Sequence, residues 1–308
     1  MAAESGGTRG SGTDEELVYR RRPPPSGSED LIEHLWVVRA PASDIPRREV
    51  LIPNGRPVVA VPLARAGVRI DVRTGRGRPN DGLVSGVAVD PVVLVQRGPS
   101  WYIGAQLTPT AVVRLTGSDP LVDAVAPASD VLGVLHLVDR LRAAQDPLAL
   151  LATMILAQAA RTGVAVPVAR AAAVRAAVAR ADAERGMVTA VELARTAAVA
   201  PSTLRRWFLH DVGVGPKAFL AIIRFYHFVG ELIAPDQVGT VATLAALQGY
   251  ADASHAAREV RRFSGLAPGD LRRRQHGIAA LMHAPGSGDH GATQHPRDLS
   301  APGHGDPS

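Results

Sequence analysis

The sequence predicts an α+β protein. An N-terminal β-rich barrel or sandwich is followed by a helical connector and a C-terminal all-α domain with two helix-turn-helix units. Three observations predict this. Short β-branched runs separated by turn residues fill the stretch before about residue 128. From Asp130 the apolar spacing becomes helical. Between Met187 and Arg274 a helix, tight turn, helix pattern occurs twice.

In chain order, residues 1–28 read as a disordered tail. They are dominated by small and charged residues, with Pro23, Pro24 and Pro25 after three arginines. They hold no apolar run of signal-peptide type. Residues 29–128 form the β-rich segment. Val58 to Val61 is a β-branched run. Val68, Ile70 and Val72 alternate with Arg69, Asp71 and Arg73, the period of a strand with its apolar side inward. Further strands are expected over 83–89, 92–96, 101–107 and 111–115. Turns are marked by Pro53-Asn54-Gly55, Pro79-Asn80-Asp81-Gly82 and Gly98-Pro99-Ser100.

Residues 129–166 form the connector. Leu132, Leu135, Val138 and Leu141 fall near one face of a first helix, and a second covers about 148–160. A third, about 168–183, opens the C-terminal segment, 167–278. Residues 279–308 read as a second tail. Its His283, His290, His295 and His304 have nothing to fix them as a metal site. Both tails are expected to be dispensable for folding, over 1–25 and 282–308.

Composition narrows the function. Of 308 residues, 46% are hydrophobic and only 4% aromatic, so the cores must be built mainly from Val, Leu, Ile and Ala. There is no cysteine, which removes disulfides, cysteine nucleophiles and cysteine-ligated zinc. The net charge is +5, and Lys217 is the only lysine. Arginine suits phosphate and guanine because its planar fork donates two parallel hydrogen bonds. A GC-rich coding bias produces the same composition, so charge placement decides.

The placement is in the two helix-turn-helix patterns. In the first, a short helix ends near Thr196 and the chain turns through Ala197-Ala198-Val199. Pro201 then suits the first position of the next helix, where a missing N–H costs nothing. Leu204, Trp207 and Phe208 share one face of that helix; Ser202, Arg205, Arg206 and Leu209 share the other. In the second pattern, Gly249 closes one helix and Asp252 caps the next. Ala256, Val260 and Phe263 form its inner face; Ser254, His255, Arg258, Arg261 and Arg262 form its outer face. A helix over 216–232 joins the two.

This segment resembles the DNA-binding domain of the AraC/XylS family of transcription regulators. The matching residues are Glu192-Leu-Ala, Ala200-Pro-Ser-Thr-Leu, Val212-Gly-Val-Gly-Pro-Lys217, Gly249-Tyr-Ala-Asp-Ala-Ser-His255, Arg258-Glu and Arg261-Arg-Phe-Ser-Gly-Leu-Ala-Pro268. Leu35-Trp36, Leu51-Ile-Pro-Asn-Gly-Arg56 and Gly104-Ala-Gln-Leu-Thr-Pro109 resemble, more loosely, the β-rich domain of one branch of the family.

The resemblance implies sequence-specific recognition of double-stranded DNA at two adjacent major-groove segments. Its base-reading positions fall on Ser202, Arg205 and Arg206, and on Ala253, Ser254 and Arg258. With their outer-face neighbours, the DNA-contacting set becomes Ser202, Thr203, Arg205, Arg206, Ser254, His255, Arg258, Arg261 and Arg262. It also leaves room for a small-molecule effector in the N-terminal domain, for RNA polymerase, and for a second copy of the chain.

The segment departs from the family pattern in three respects. Ala198 stands at a usual turn glycine, Ala200 at a usual serine cap, and Ala256 and Val260 where bulky aromatics are common. The last pair predicts a weakened second unit unless it is repacked.

The reading is of a non-enzyme without cofactor or catalytic residue, cytoplasmic and with no membrane partner. The rival is a cupin-like metalloenzyme or ligand-binding protein with a helical accessory domain. Cupin metal sites cluster histidines, and His34 alone lies in the candidate barrel.

Overall fold

The computed structural model describes residues 17–43, 45–117, 119–164, 166–234, 239–274 and 292–294. Its N-terminal half holds strands β1 (Leu17–Arg22), β2 (Ile32–Ala40), β3 (Arg47–Leu51), β4 (Val58–Pro62), β5 (Val68–Asp71), β6 (Gly77–Pro79), β7 (Leu83–Ser85), β8 (Val92–Gln96) and β9 (Ser100–Leu107). Helix α1 (Ala111–Thr116) and strand β10 (Val125–Pro127) follow. Then come helices α2 (Ala128–Leu132), α3 (Leu137–Ala143), α4 (Pro147–Thr162), α5 (Val168–Ala183), α6 (Ala190–Thr196), α7 (Pro201–Asp211), α8 (Pro216–Ile233), α9 (Val241–Leu247), α10 (Ala253–Ser264) and α11 (Pro268–Arg274). Strand β11 (Ala292–Gln294) returns to the first sheet.

The strands form two antiparallel sheets, β10-β7-β4-β9-β2-β1-β11 and β3-β8-β5-β6. The larger sheet has two buried faces because its residues alternate. Leu35, Val59, Val61, Ile103 and Leu107 pack with Leu151 and Ile155 of α4. Trp36, Val38, Val58, Ala60 and Tyr102 point the other way, into a cavity shared with the smaller sheet. A sandwich around a cavity is thus the form the predicted β domain takes.

Several sequence expectations change. Strand β1 lies inside the segment expected to be a tail. Tyr19 is 2% exposed, and Arg22 pairs with the α4 cap Asp146 at 2.7 Å. Deleting residues 1–25 would therefore remove a core strand. Residues 292–294, in the second expected tail, pair with β1; the four tail histidines other than these positions lie outside the described residues. The run 111–115 is a helix, not a strand. Ala111, Val112, Val113 and Leu115 are all buried, and a short all-apolar run carries no periodicity to separate the two.

The strand expected over 83–89 stops at Ser85, because the chain leaves the sheet at Gly86, whose N–H donates to the Leu121 carbonyl. Val87 and Val89 then join the core of the helical domain. The first connector helix is two short helices. Gly133 and His136 between them adopt left-handed conformations, and Leu135 is 82% exposed. The β5 alternation does not hold: Arg69 lines the cavity and Ile70 is half-buried, while Val68, Asp71, Val72 and Arg73 are exposed.

Helix α5 places Val174, Ala177, Val178 and Ala181 on one buried stripe, the spacing of an amphipathic helix. Ile52, Val87, Val89 and Val122 of the β domain pack into the core of α5 to α11, while the β domain keeps a separate core of its own with α4. Among the described residues no single helix is long and apolar enough to cross a membrane.

Candidate nucleic-acid interface

Helix α6 starts with a reciprocal cap. The Thr189 hydroxyl accepts from the Glu192 N–H at 3.2 Å, and the Glu192 carboxylate accepts from the Thr189 N–H at 2.7 Å. The Thr189 N–H and hydroxyl, both donating to the carboxylate, hold the Glu192 carboxyl below the usual range. The chain then turns through Ala198 at φ +53°. A β-carbon in this left-handed region crowds the following carbonyl, at a cost of about 1–2 kcal/mol. We therefore expect Ala198→Gly to raise stability by about 0.5–1 kcal/mol, the strain relieved less the extra entropy glycine loses on folding. A urea titration checks this; an unchanged midpoint would mean the turn relaxes around alanine.

Helix α7 begins at Pro201, and its cap residue Ala200 makes no side-chain hydrogen bond. Leu204 and Phe208 are fully buried, while Ser202, Arg205, Arg206 and Leu209 are exposed. Thr203 and Trp207 are half-buried between the two faces. Asp211, at the end of the helix, is buried against the Arg170 guanidinium of α5, with its Oδ2 2.7 Å from Arg170 Nε.

Helix α8 is the common spine. Its Phe219 meets Phe208 edge-on at 5.7 Å. Further along, Phe225 lies 5.1 Å from Phe263, and Phe228 lies 5.4 Å from Tyr250. Ala256 and Val260 share this core with the phenylalanines, and both small residues are fully buried. Arg224 adds a polar clasp, 3.2 Å from Glu259 and over the Tyr250 ring.

The second unit turns through Gly249 at φ +69°, and Asp252 accepts from the His255 N–H at 2.6 Å to cap α10. Ser254, Arg258, Arg261 and Arg262 are exposed. Ala253 is half-buried. His255 differs from the outer-face expectation: it is half-buried, with its ring edge-on to Tyr250 at 5.4 Å. The Arg262 guanidinium leans over its own neighbour, Phe263. Arg205, Arg206, Arg258 and Arg261 make no side-chain hydrogen bond or ion pair among the described residues, so these cations are uncommitted within the fold. Arg272, Arg273 and Arg274 on α11 extend the exposed basic surface. Their consecutive arginines were visible in the sequence, but no face could be assigned to so short a helix.

A second feature lies between the sheets. The cavity is about 190 Å³ and is walled by apolar and aromatic groups, with Tyr226 of α8 among them. Trp36 and Tyr102 line it; Trp101 instead packs under the Arg39 guanidinium at 4.4 Å. At its edge the loop Pro53 to Arg56 touches the helical domain. Gly55 sits so close to α8 that a β-carbon there would come 2.8 Å from Ile223. Arg56 bridges Glu33 of β2 and Asp182 of α5, the latter at 2.6 Å. Burial alone would lower the Arg56 pKa, but the two carboxylates outweigh it and hold it raised. His34 is held neutral, its pKa lowered to about 4 by burial and by Arg21 and Arg56. Among the described residues no three His, Cys, Asp or Glu side chains converge as a metal site.

Residues 193–274 match the family model described as a helix-turn-helix domain. No curated protein matches the chain. Among solved structures, ToxT from Vibrio cholerae is 8% identical, covering 78% of this chain and 97% of its own, with a TM-score of 0.44. An AraC-type DNA-binding-domain protein from Chromobacterium violaceum is 16% identical over 34% of this chain and 92% of its own, TM-score 0.32. The C-terminal domain of the response regulator AraT from Geobacillus stearothermophilus is 20% identical over 33% and 84%, TM-score 0.30. Residues 193–274 are thus a helix-turn-helix domain, in keeping with the family model they match.

Proposed function

We propose that the protein reads double-stranded DNA with α7 and α10, in two neighbouring major-groove segments. The observation that carries this is the pair of exposed faces whose arginines are uncommitted within the fold, both fixed to one helix. At 1.5 Å per residue α8 is roughly 27 Å long, comparable to the roughly 34 Å between successive major-groove faces. Ser202, Thr203, Arg205 and Arg206 belong to the first head, and Ser254, Arg258, Arg261 and Arg262 to the second. His255 acts mainly as packing beside the cap. The cavity between the sheets takes a small-molecule effector, and RNA polymerase and a second copy of the chain are further partners. The activity is regulatory rather than enzymatic, and belongs in the cytoplasm with the DNA.

The test is selection of bound sites from a random duplex pool, run on the wild type and on two variants. A bidentate arginine–guanine contact is worth about 1–3 kcal/mol of discrimination. Arg205→Ala is expected to relax preference in one half of the selected site, and Arg258→Ala in the other. Affinity should fall steeply with salt as counterions are released. No enrichment by the wild type would end the proposal. Uniform weakening by both variants would assign these arginines to phosphates instead.

A further inference from the structure

The β5–β6 hairpin is a further exposed basic element, and it lies outside the helical domain. From Val72 to Pro79 it carries Arg73, Arg76 and Arg78 and no acid. Residues 71–79 are all exposed. Strand β6 is an edge of the smaller sheet, and its Arg78 stands directly opposite Arg69 of β5. Like charges in register repel, so folding alone does not favour this pairing. Charge on an edge strand guards against pairing with other chains, but either sign serves that purpose.

The tip is held in one shape from within. The Asp71 carboxylate accepts from the Arg73 and Thr74 N–H groups at 2.8 and 2.9 Å. Gly75, in the left-handed region at φ +69°, donates its N–H to the Asp71 carbonyl at 2.8 Å. Arg76 and Arg78 make no side-chain hydrogen bond or ion pair among the described residues. Arg73 forms a loose pair with Asp90 at 3.8 Å while 76% of its side chain stays exposed. Asp71, Asp81 and Asp90 together do not balance Arg69, Arg73, Arg76 and Arg78, so the hairpin is positive.

The hairpin also stands beside the second reading head. Gly265 ends α10 in a left-handed conformation, and a β-carbon there would lie 3.2 Å from Cγ1 of Val72, the residue that follows β5. The arginines of the tip begin at the next residue. On the other side of this contact, the last turn of α10 carries Arg261 and Arg262. Helix α11 adds the exposed Arg272 and Arg274, while its Arg273 is engaged by Asp270 at 2.5 Å. The hairpin thus continues, from the β domain, the basic surface of the second head.

We infer that the β5–β6 hairpin is a third DNA-contacting element, whose Arg73, Arg76 and Arg78 take backbone phosphates of the duplex just outside the segment that α10 reads. This rests on the reading of α10 as a major-groove helix, and it gives the β domain a direct hold on the DNA. Guanidinium pairs strongly with phosphate oxygens, and a preformed tip loses little freedom on binding. Contacts of this kind position a protein without reading sequence. The hairpin therefore fixes the seat of the β domain on the duplex, while α7 and α10 choose the bases.

The test uses the full-length protein on a site that the wild type selects from the random duplex pool. Arg73→Ser with Arg76→Ser is compared with Arg65→Ser with Arg97→Ser. The second pair removes the same charge from exposed positions at the end of the sheet away from the tip. The hairpin double should lose about tenfold or more in affinity at physiological salt, and its logarithmic salt slope should flatten by about 1.8, at roughly 0.9 per phosphate contact. Its selected sequence and its melting temperature should not change. Arg73→Lys with Arg76→Lys should bind nearly as wild type, because a phosphate accepts an ammonium as well. Hydroxyl-radical footprinting should show backbone protection beyond the α10 segment that the serine double lacks. Arg76→Ser alone, with half the change in slope, serves if the double melts early. Equal weakening by the hairpin and control doubles, or an unchanged footprint, would overturn the inference while both reading heads stood. A wild type that selects no site would end the reading of α10 and the role of the hairpin together.

Discussion

Phe208→Ala is expected to destabilise the helical domain by about 3–5 kcal/mol, the usual cost of deleting a buried aromatic ring. Phe208 is fully buried, and it links the first reading helix to the spine through Phe219. It shares its buried core with Leu193 of α6, Leu204 of α7 and Val212 and Val214 of the turn after α7. Collapse into the space it leaves would move α7 itself. Chemical denaturation of the variant beside Arg205→Ala measures the effect. The arginine variant should stay within about 0.5 kcal/mol of wild type, as exposed substitutions do. Equal losses from both would mean the inner and outer faces of α7 are misassigned.

The second large effect is expected at the junction of the two halves. Arg56 keeps 11% of its side-chain exposure while holding Glu33 and Asp182, one carboxylate from each half. Arg56→Met removes the cation and leaves both carboxylates behind. Breaking a buried pair in this way costs about 3–5 kcal/mol, but these acids retain 26% and 35% exposure, so water absorbs part of it and roughly 2–3 kcal/mol remains. The loss should appear as weaker coupling, with one thermal transition broadening or separating into two. The apolar contacts of Ile52, Val87, Val89 and Val122 persist in the variant, so the halves should stay associated. A melt that superimposes on wild type would show that the bridge holds nothing together.

The helical part was legible because its information is local. Caps, turns and inner faces lie within a few residues of one another. Pro201, Gly249, Asp252 and Phe263 each act where the sequence places them. The same locality explains what was misread. Residues 111–115 are apolar at every position, and nothing in the run itself says which neighbour buries them. Gly133 and a left-handed His136 break a helix whose apolar spacing continued across the gap.

By itself, then, the sequence determined the order of the two halves, the pair of helix-turn-helix units, and which side of each reading helix carries arginine. Those follow from periodicity and capping, which a single segment contains. Tertiary structure alone decided four things. It added β1 to the sheet, through Tyr19 and the Arg22–Asp146 pair. It put Ala256 and Val260 in one buried core with the phenylalanines of α8. It joined the halves through Arg56 and Asp182, 126 positions apart. It also turned Arg69 inward. Alternation fixes that two faces of a strand differ, but which face meets the interior depends on the strands beside it, and their pairing is a property of the whole chain.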